Sequence, residues 1–328
     1  MRTAIVRAVA LAAAWQVVAA ARTSRDHGFR VANATELARL APFVMISSQR
    51  TGSQWIMKTL KKDVCDVDAS SEIFTTDARW NTTFQMEALR LLFDVELPAR
   101  SSLFDRVAVP HQFADDLAKS RAYDHSTAYG FKWMLNQGMA DLWDWFLDLA
   151  EARGLKLVFL KRRDLLRMYI STKEMKMGHA ARHDGVDGDI KMKAHPTTEA
   201  ELDAVRSEQL ILPTGRELIG KLDVIANKFN RMGAYMAAAA RRGIPTMEIL
   251  YEDMSSNHSR FLDVQRFLTR DLRGETCDGD ARSAHLFDLD ESIKIHAETP
   301  DHYVANWAEV EATLRRSPTY RALLDDYG

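Results

Sequence analysis

The sequence predicts an α/β protein in which a central parallel sheet is flanked by helices. Two observations carry that expectation: short apolar runs recur along the chain, and each is followed by a segment with helical spacing. Phe43 to Ile46 is the first run and predicts a buried strand over 43–47. Polar residues around Gly52 break it, and Trp55, Ile56 and Leu60 then share one side of a helix over 53–62. The same alternation predicts a strand over 127–133, a helix over 139–153 and a strand over 155–160. A helix over 164–176 follows, with Leu165, Met168 and Tyr169 at helical spacing and Asp164 suited to cap it. A long helical pattern from Arg216 to Arg242 stops at Gly243 and Pro245, ahead of a strand over 246–251. Residues 178–215 have turn residues and weak periodicity, and are expected to form a substrate-side loop or lid. In parallel sheets ligands gather at the carboxyl ends of the strands, where Arg50, Lys132, Arg163 and Tyr251 are all expected.

The turn after the first strand reads Ser-Gln-Arg-Thr-Gly-Ser-Gln-Trp, residues 48–55. A strand that turns sharply into a helix leaves backbone N–H groups unpaired at the helix start. Those donors, the helix dipole and Arg50 together suit an anion such as a phosphate. A Walker-A loop would place Lys directly before Ser or Thr, but the first Lys after Gly52 is Lys58. A dinucleotide-binding turn needs three glycines, and this one has Gly52 alone. A P-loop kinase is therefore excluded.

The pattern basic-Thr-Gly-Ser-x-Trp, from Arg50 to Trp55, resembles the 5′-phosphosulfate loop of sulfotransferases that use 3′-phosphoadenosine-5′-phosphosulfate (PAPS). A second segment, from Leu155 to Met175, is similar to the same superfamily's 3′-phosphate motif, a strand-end Arg followed eight residues later by a Ser. Arg163 and Ser171 stand at that spacing. Eight residues is just over two helical turns, so the two positions can share a face. A guanidinium offers a phosphate dianion a bidentate fork worth roughly 1.5–3 kcal/mol. Lys161 and Arg162 are expected to be solvated.

The run Met247 to Met254 and the tail from Tyr303 to Trp307, with a helix through Leu314, also resemble bacterial and Golgi carbohydrate sulfotransferases. The resemblance covers about residues 42 to 325. It implies a P-loop-like three-layer fold, PAPS as co-substrate without a metal, and Arg50, Thr51, Gly52, Ser53, Gln54, Trp55, Arg163 and Ser171 as its binding residues. It also implies a general base about twenty residues past the first loop in a Glu-x-Phe setting, which is Glu72 before Ile73-Phe74. His111, His125 and His195 are the weaker alternatives. Sulfuryl transfer also needs a cation near the bridging oxygen. Lys132, at the end of its strand, is the residue expected to supply it. The acceptor is expected to be a hydroxyl of a glycan. A small-molecule or lipid alcohol or amine, and a non-catalytic nucleotide- or glycan-binding relative, are the other readings.

At 328 residues and 46% hydrophobic content, the chain has material for a sizeable core. A formal charge of −2, with basic residues scattered rather than banked, gives no reason to expect a nucleic-acid partner. Cys65 and Cys277 lack metal-site spacing; one disulfide or two free thiols are both open. Residues 1–25 contain no acid, and Arg2 and Arg7 precede an apolar stretch, Ala8 to Ala21. That stretch is shorter than the roughly 20 residues a membrane span needs. Residues 1–21 are thus expected to be a signal peptide, or else an uncleaved membrane anchor. A stem over 22–40 and a catalytic domain over 41–328 are expected to follow. Sequons at Asn33, Asn81 and Asn257 agree with a Golgi-lumen or secreted destination, and a plastid is the alternative.

Overall fold

The computed structural model describes residues 41–63, 67–74, 82–93, 128–183, 209–269 and 299–327. The expectations for residues 1–40, for Cys65 and Cys277, for His111, His125 and His195, and for most of the 178–215 segment lie outside the described residues. The described chain divides into two compact units. One holds 41–48, 53–161 and 232–269; the other holds 49–52, 162–231 and 299–327.

The first unit is built on five parallel strands in the order β2-β3-β1-β4-β5. These are β1 (Ala41–Ser47), β2 (Val67–Glu72), β3 (Ala128–Met134), β4 (Lys156–Lys161) and β5 (Thr246–Leu250). Between and after them run α1 (Ser53–Asp63), α2 (Thr82–Phe93), α3 (Met139–Arg153), α4 (Leu165–His183), α5 (Gly215–Arg241), α6 (Tyr251–Ser256) and α7 (Arg260–Thr269). The step from β1 to β2 and the step from β3 to β4 cross the sheet in opposite directions. Right-handed connections therefore put α1 and α3 on opposite faces. On one face Ile56 and Leu60 of α1 pack with Phe43, Met45, Phe261 and Leu268. On the other, Trp133 meets Phe146 of α3 edge-on at 5.1 Å, and Phe74 packs against both Phe131 and Trp133. Burial on both faces explains why β3 is enclosed along its whole length.

Two lysines of the sheet, Lys132 and Lys156, are buried. Lys156 is buried on the α7 side, and its Nζ donates to the carbonyls of Phe267 and Leu268 at 3.0 Å each. These belong to the last turn of α7, where intrahelical donors run out, so the ammonium caps the helix.

The parallel sheet and the helix over 139–153 match expectation, while other features differ. β2, α2, α6 and α7 fall within stretches for which no such element was expected. The helix expected to stop at 176 continues to His183, so residues 178–183 are helix, not lid.

The second unit packs the start of α4 and the first part of α5 with the tail. There α8 (Trp307–Arg316) and two short 3-10 turns close a core around Leu166, Ile170, Leu218, Val310 and Leu314. Asn306 ties the tail to the α5 approach. Its Oδ1 accepts from Leu212 N at 3.0 Å, and its Nδ2 donates to Leu212 O at 2.8 Å. Among the described residues no helix is long and apolar enough to cross a membrane.

Candidate functional site

The turn after β1 has the backbone of an anion cradle. Arg50 has φ 65° and Gly52 has φ 78°, while Thr51 between them is not in the left-handed region. Such alternation of hand aims successive N–H groups toward a common point, a concavity that binds anions. Gly52 reaches its angle without strain. Arg50 does so at some cost, since a non-glycine residue disfavours that region by roughly 1–2 kcal/mol. Thr51 is fully buried and Ser53, the first residue of α1, nearly so.

The Arg50 side chain does not extend into solvent. Its Nε–H donates to Ser171 Oγ at 2.7 Å, joining two predicted phosphate motifs that lie 121 residues apart. Burial lowers the pKa of the guanidinium; Glu174 opposes that shift and Arg162 adds to it. Arg162 Nη1 donates to Arg50 O at 3.1 Å. The expectation of a solvated Arg162 is thereby corrected: its side chain fixes the carbonyl of the strained residue. Lys161, also expected to be solvated, pairs with Glu248 at 2.5 Å. Arg163 is exposed.

The helix after this segment starts as the sequence predicts. Asp164 Oδ1 accepts from Arg167 N at 2.8 Å, a first-turn cap. Its other oxygen accepts from Tyr327 OH at 2.6 Å and pairs with Arg167 Nε at 3.1 Å. Burial raises the Asp164 pKa above the usual carboxylate range, outweighing those hydrogen bonds and the charges of Arg162 and Arg167. The tail thus pins the start of α4 directly beside Arg163.

In the first unit the two predicted catalytic residues meet. The strand register pairs Glu72 with Lys132, and Glu72 Oε1 lies 3.0 Å from Lys132 Nζ. The β2 ladder shifts register between Ser70 and Glu72, an irregularity that re-aims the side chains at the strand end. A cation and an amide hold Glu72. Gln137 Nε2 donates to Glu72 Oε2 at 2.7 Å, while its Oε1 accepts from Met134 N at 2.9 Å. Its carbonyl receives Trp133 Nε1 and Gln85 Nε2. Sequence reasoning missed Gln137, whose role depends on a partner 65 residues away.

Replacing Gln137 with Leu should cost about 1–3 kcal/mol in urea unfolding, because Met134 N then loses its side-chain acceptor in the interior. An unchanged midpoint would mean that water replaces the amide.

The remaining predicted binding residues separate. Gln54 is exposed. The Trp55 ring packs edge-on against Tyr251 at 5.8 Å and Phe261 at 5.5 Å, at the margin of the α1–α7 core. Among the described residues no group of three or more His, Cys, Asp or Glu side chains gathers in a way that could hold a metal.

A solved structure, that of mouse sulfotransferase SULT7A1 complexed with PAP, aligns with 90% of this chain and 93% of its own length. The sequence identity is 12% and the TM-score 0.32. At that score the superposition adds nothing to the strand order, and the fold stands on the sheet itself. No family model and no curated protein sequence matches the chain.

Proposed function

We propose that the protein is a PAPS-dependent sulfotransferase that moves a sulfuryl group to an acceptor hydroxyl, on a glycan. The observation that carries this reading is the Arg50–Ser171 hydrogen bond, which ties the anion-cradling turn to the helix of the second phosphate motif. A strained turn with left-handed Arg50 and Gly52 supports it as a cradle for the phosphosulfate. The Glu72–Lys132 pair supports it as the proton-handling and charge-neutralising couple.

In the proposed reaction the acceptor oxygen attacks sulfur while the bond from sulfur to the bridging phosphate oxygen breaks in line. The hydroxyl proton passes to Glu72 as general base. The electron pair of the broken bond stays on the phosphate oxygen of the departing adenosine 3′,5′-bisphosphate, whose charge Lys132 offsets. Each Glu72 oxygen has a second lone pair beyond its bond to Lys132 or Gln137, so the carboxylate keeps room to accept a proton. The same reading routes the chain through the secretory pathway by residues 1–21, either as a cleaved signal or as an anchor, with a plastid as the competing destination.

Titration calorimetry with adenosine 3′,5′-bisphosphate tests the reading, beside a labelled-sulfate screen over glycan and small-alcohol acceptors. Arg163→Ala should weaken bisphosphate binding about 10- to 150-fold, the equivalent of one charge-assisted hydrogen bond. No heat with the unaltered protein would end the proposal. Transfer to small alcohols alone would replace the glycan.

A further inference from the structure

We infer that Arg50 serves both ends of one nucleotide: its backbone cradles the 5′-phosphosulfate, whereas its guanidinium reads the 3′-phosphate together with Ser171. This inference rests on the PAPS reading above. It adds the Arg50 guanidinium to the sequence reading, in which Arg50 belongs to the 5′ loop and the 3′-phosphate falls to Arg163 and Ser171.

Four observations converge on it. The Nε–H of Arg50 already donates to Ser171 Oγ at 2.7 Å, so the guanidinium sits against the hydroxyl expected to bind the 3′-phosphate. Arg50 has φ 65°, whereas neither Gln49 nor Thr51 has a positive φ, so its side chain leaves the turn in a different direction from theirs. N–H groups and guanidinium are thereby free to serve different ligand atoms. Arg162 Nη1 on Arg50 O holds this geometry from the chain segment that leads into α4. Finally, residues 49–52 belong to the compact unit that holds Arg163 and Ser171.

The chemistry favours the same division. A phosphate monoester such as the 3′ group carries about −1.5 to −2 charge at pH 7 on three terminal oxygens. Those are the acceptors a guanidinium fork matches best. A guanidinium has five N–H donors, and the bond to Ser171 uses one. Glu174, three residues beyond Ser171, acts electrostatically on Arg50 and opposes the approach of any anion without a strong claim on the cation.

The test compares two probes, adenosine 3′,5′-bisphosphate and adenosine 5′-monophosphate, by calorimetry on the full chain. The unaltered protein should prefer the bisphosphate by about 10-fold or more. Arg50→Gln keeps a non-glycine residue at the strained position. It should weaken bisphosphate binding about 10-fold while 5′-monophosphate binding stays within about twofold, so the preference collapses. Ser171→Ala leaves the turn untouched and should narrow the same ratio; Arg50→Lys, which keeps the charge but loses the planar fork, should narrow it too and decides the matter if Arg50→Gln does not fold. The double variant should lose less than the sum of the two, since the residues act as a unit. Equal weakening of both nucleotides by Arg50→Gln would overturn the inference and return the guanidinium to the 5′ end. If the unaltered protein binds neither probe, the PAPS reading itself fails, which is a different result.

Discussion

Glu72→Gln is expected to lower sulfuryl transfer by about 10²–10⁴-fold, the range for loss of a positioned general base, with bisphosphate affinity kept within about twofold. The substitution preserves size and leaves Oε1 as an acceptor, but removes the proton-accepting carboxylate. It also strips Lys132 of its counter-charge, and the two residues differ sharply in setting. The Lys132 side chain is 4% exposed and that of Glu72 35%. Removing one partner of a fully buried pair costs about 3–5 kcal/mol. Solvent reaches the carboxylate here, and screening cuts that to about 1–2 kcal/mol. The variant should therefore be both far slower and slightly less stable. A double variant with Lys132→Met tests the stability loss alone, since Lys132 itself serves the reaction: the melting temperature should recover once no ammonium is left unpaired. A melting temperature that stays low would place the loss elsewhere. A single Glu72→Gln enzyme as fast as the unaltered one would reassign the base.

What the sequence disclosed follows from where each element draws its stability. β1, β3 and β4 are buried on both faces, so their apolar runs announce them. β2 reads Val-Asp-Ala-Ser-Ser-Glu, and it pairs with β3 alone at the edge of the sheet. Val67 and Ala69 are buried at alternate positions, but two small apolar residues in six make too short a period-two signal to mark a strand. α7 was not expected either, although Phe261, Val264 and Leu268 stand buried at helical spacing. α2 hides its signal because a polar residue, Gln85, is fully buried on its inner face.

The candidate site divides in the same way. Residue types and spacing pointed to Arg50, Glu72, Lys132 and Ser171. They could not point to Arg162 or Gln137, which act through a backbone carbonyl and through a carboxylate distant in sequence. Nor does any pattern reveal that the Arg50 side chain turns toward α4, because that depends on its φ of 65°.

Gly130→Ala should produce the largest loss of stability from a single methyl group, about 3 kcal/mol or more in urea unfolding. A Cβ at this position would stand 2.2 Å from Phe43 O and 2.6 Å from Phe43 Cγ and Cδ1. The ring could rotate away; the carbonyl cannot. Phe43 sits in β1, which is hydrogen-bonded to β3 on one side and β4 on the other, with Gly130 as its register partner in β3. Relief must come from shifting a central strand, which disturbs both ladders and the α1–α7 core around Phe43. Adding Phe43→Ala tests which atom matters. It removes the ring and leaves the oxygen, so the double variant should be no more stable than Gly130→Ala. Recovery would mean that the ring alone was the obstacle. The effect should extend to chemistry, because Lys132 lies two residues along the same strand, on the same face, opposite Glu72. A strand that moves to admit a methyl group changes the 3.0 Å Glu72–Lys132 contact before it unfolds the sheet. Any folded Gly130→Ala protein should therefore lose turnover out of proportion to its bisphosphate affinity. Equal losses in both would place the distortion elsewhere.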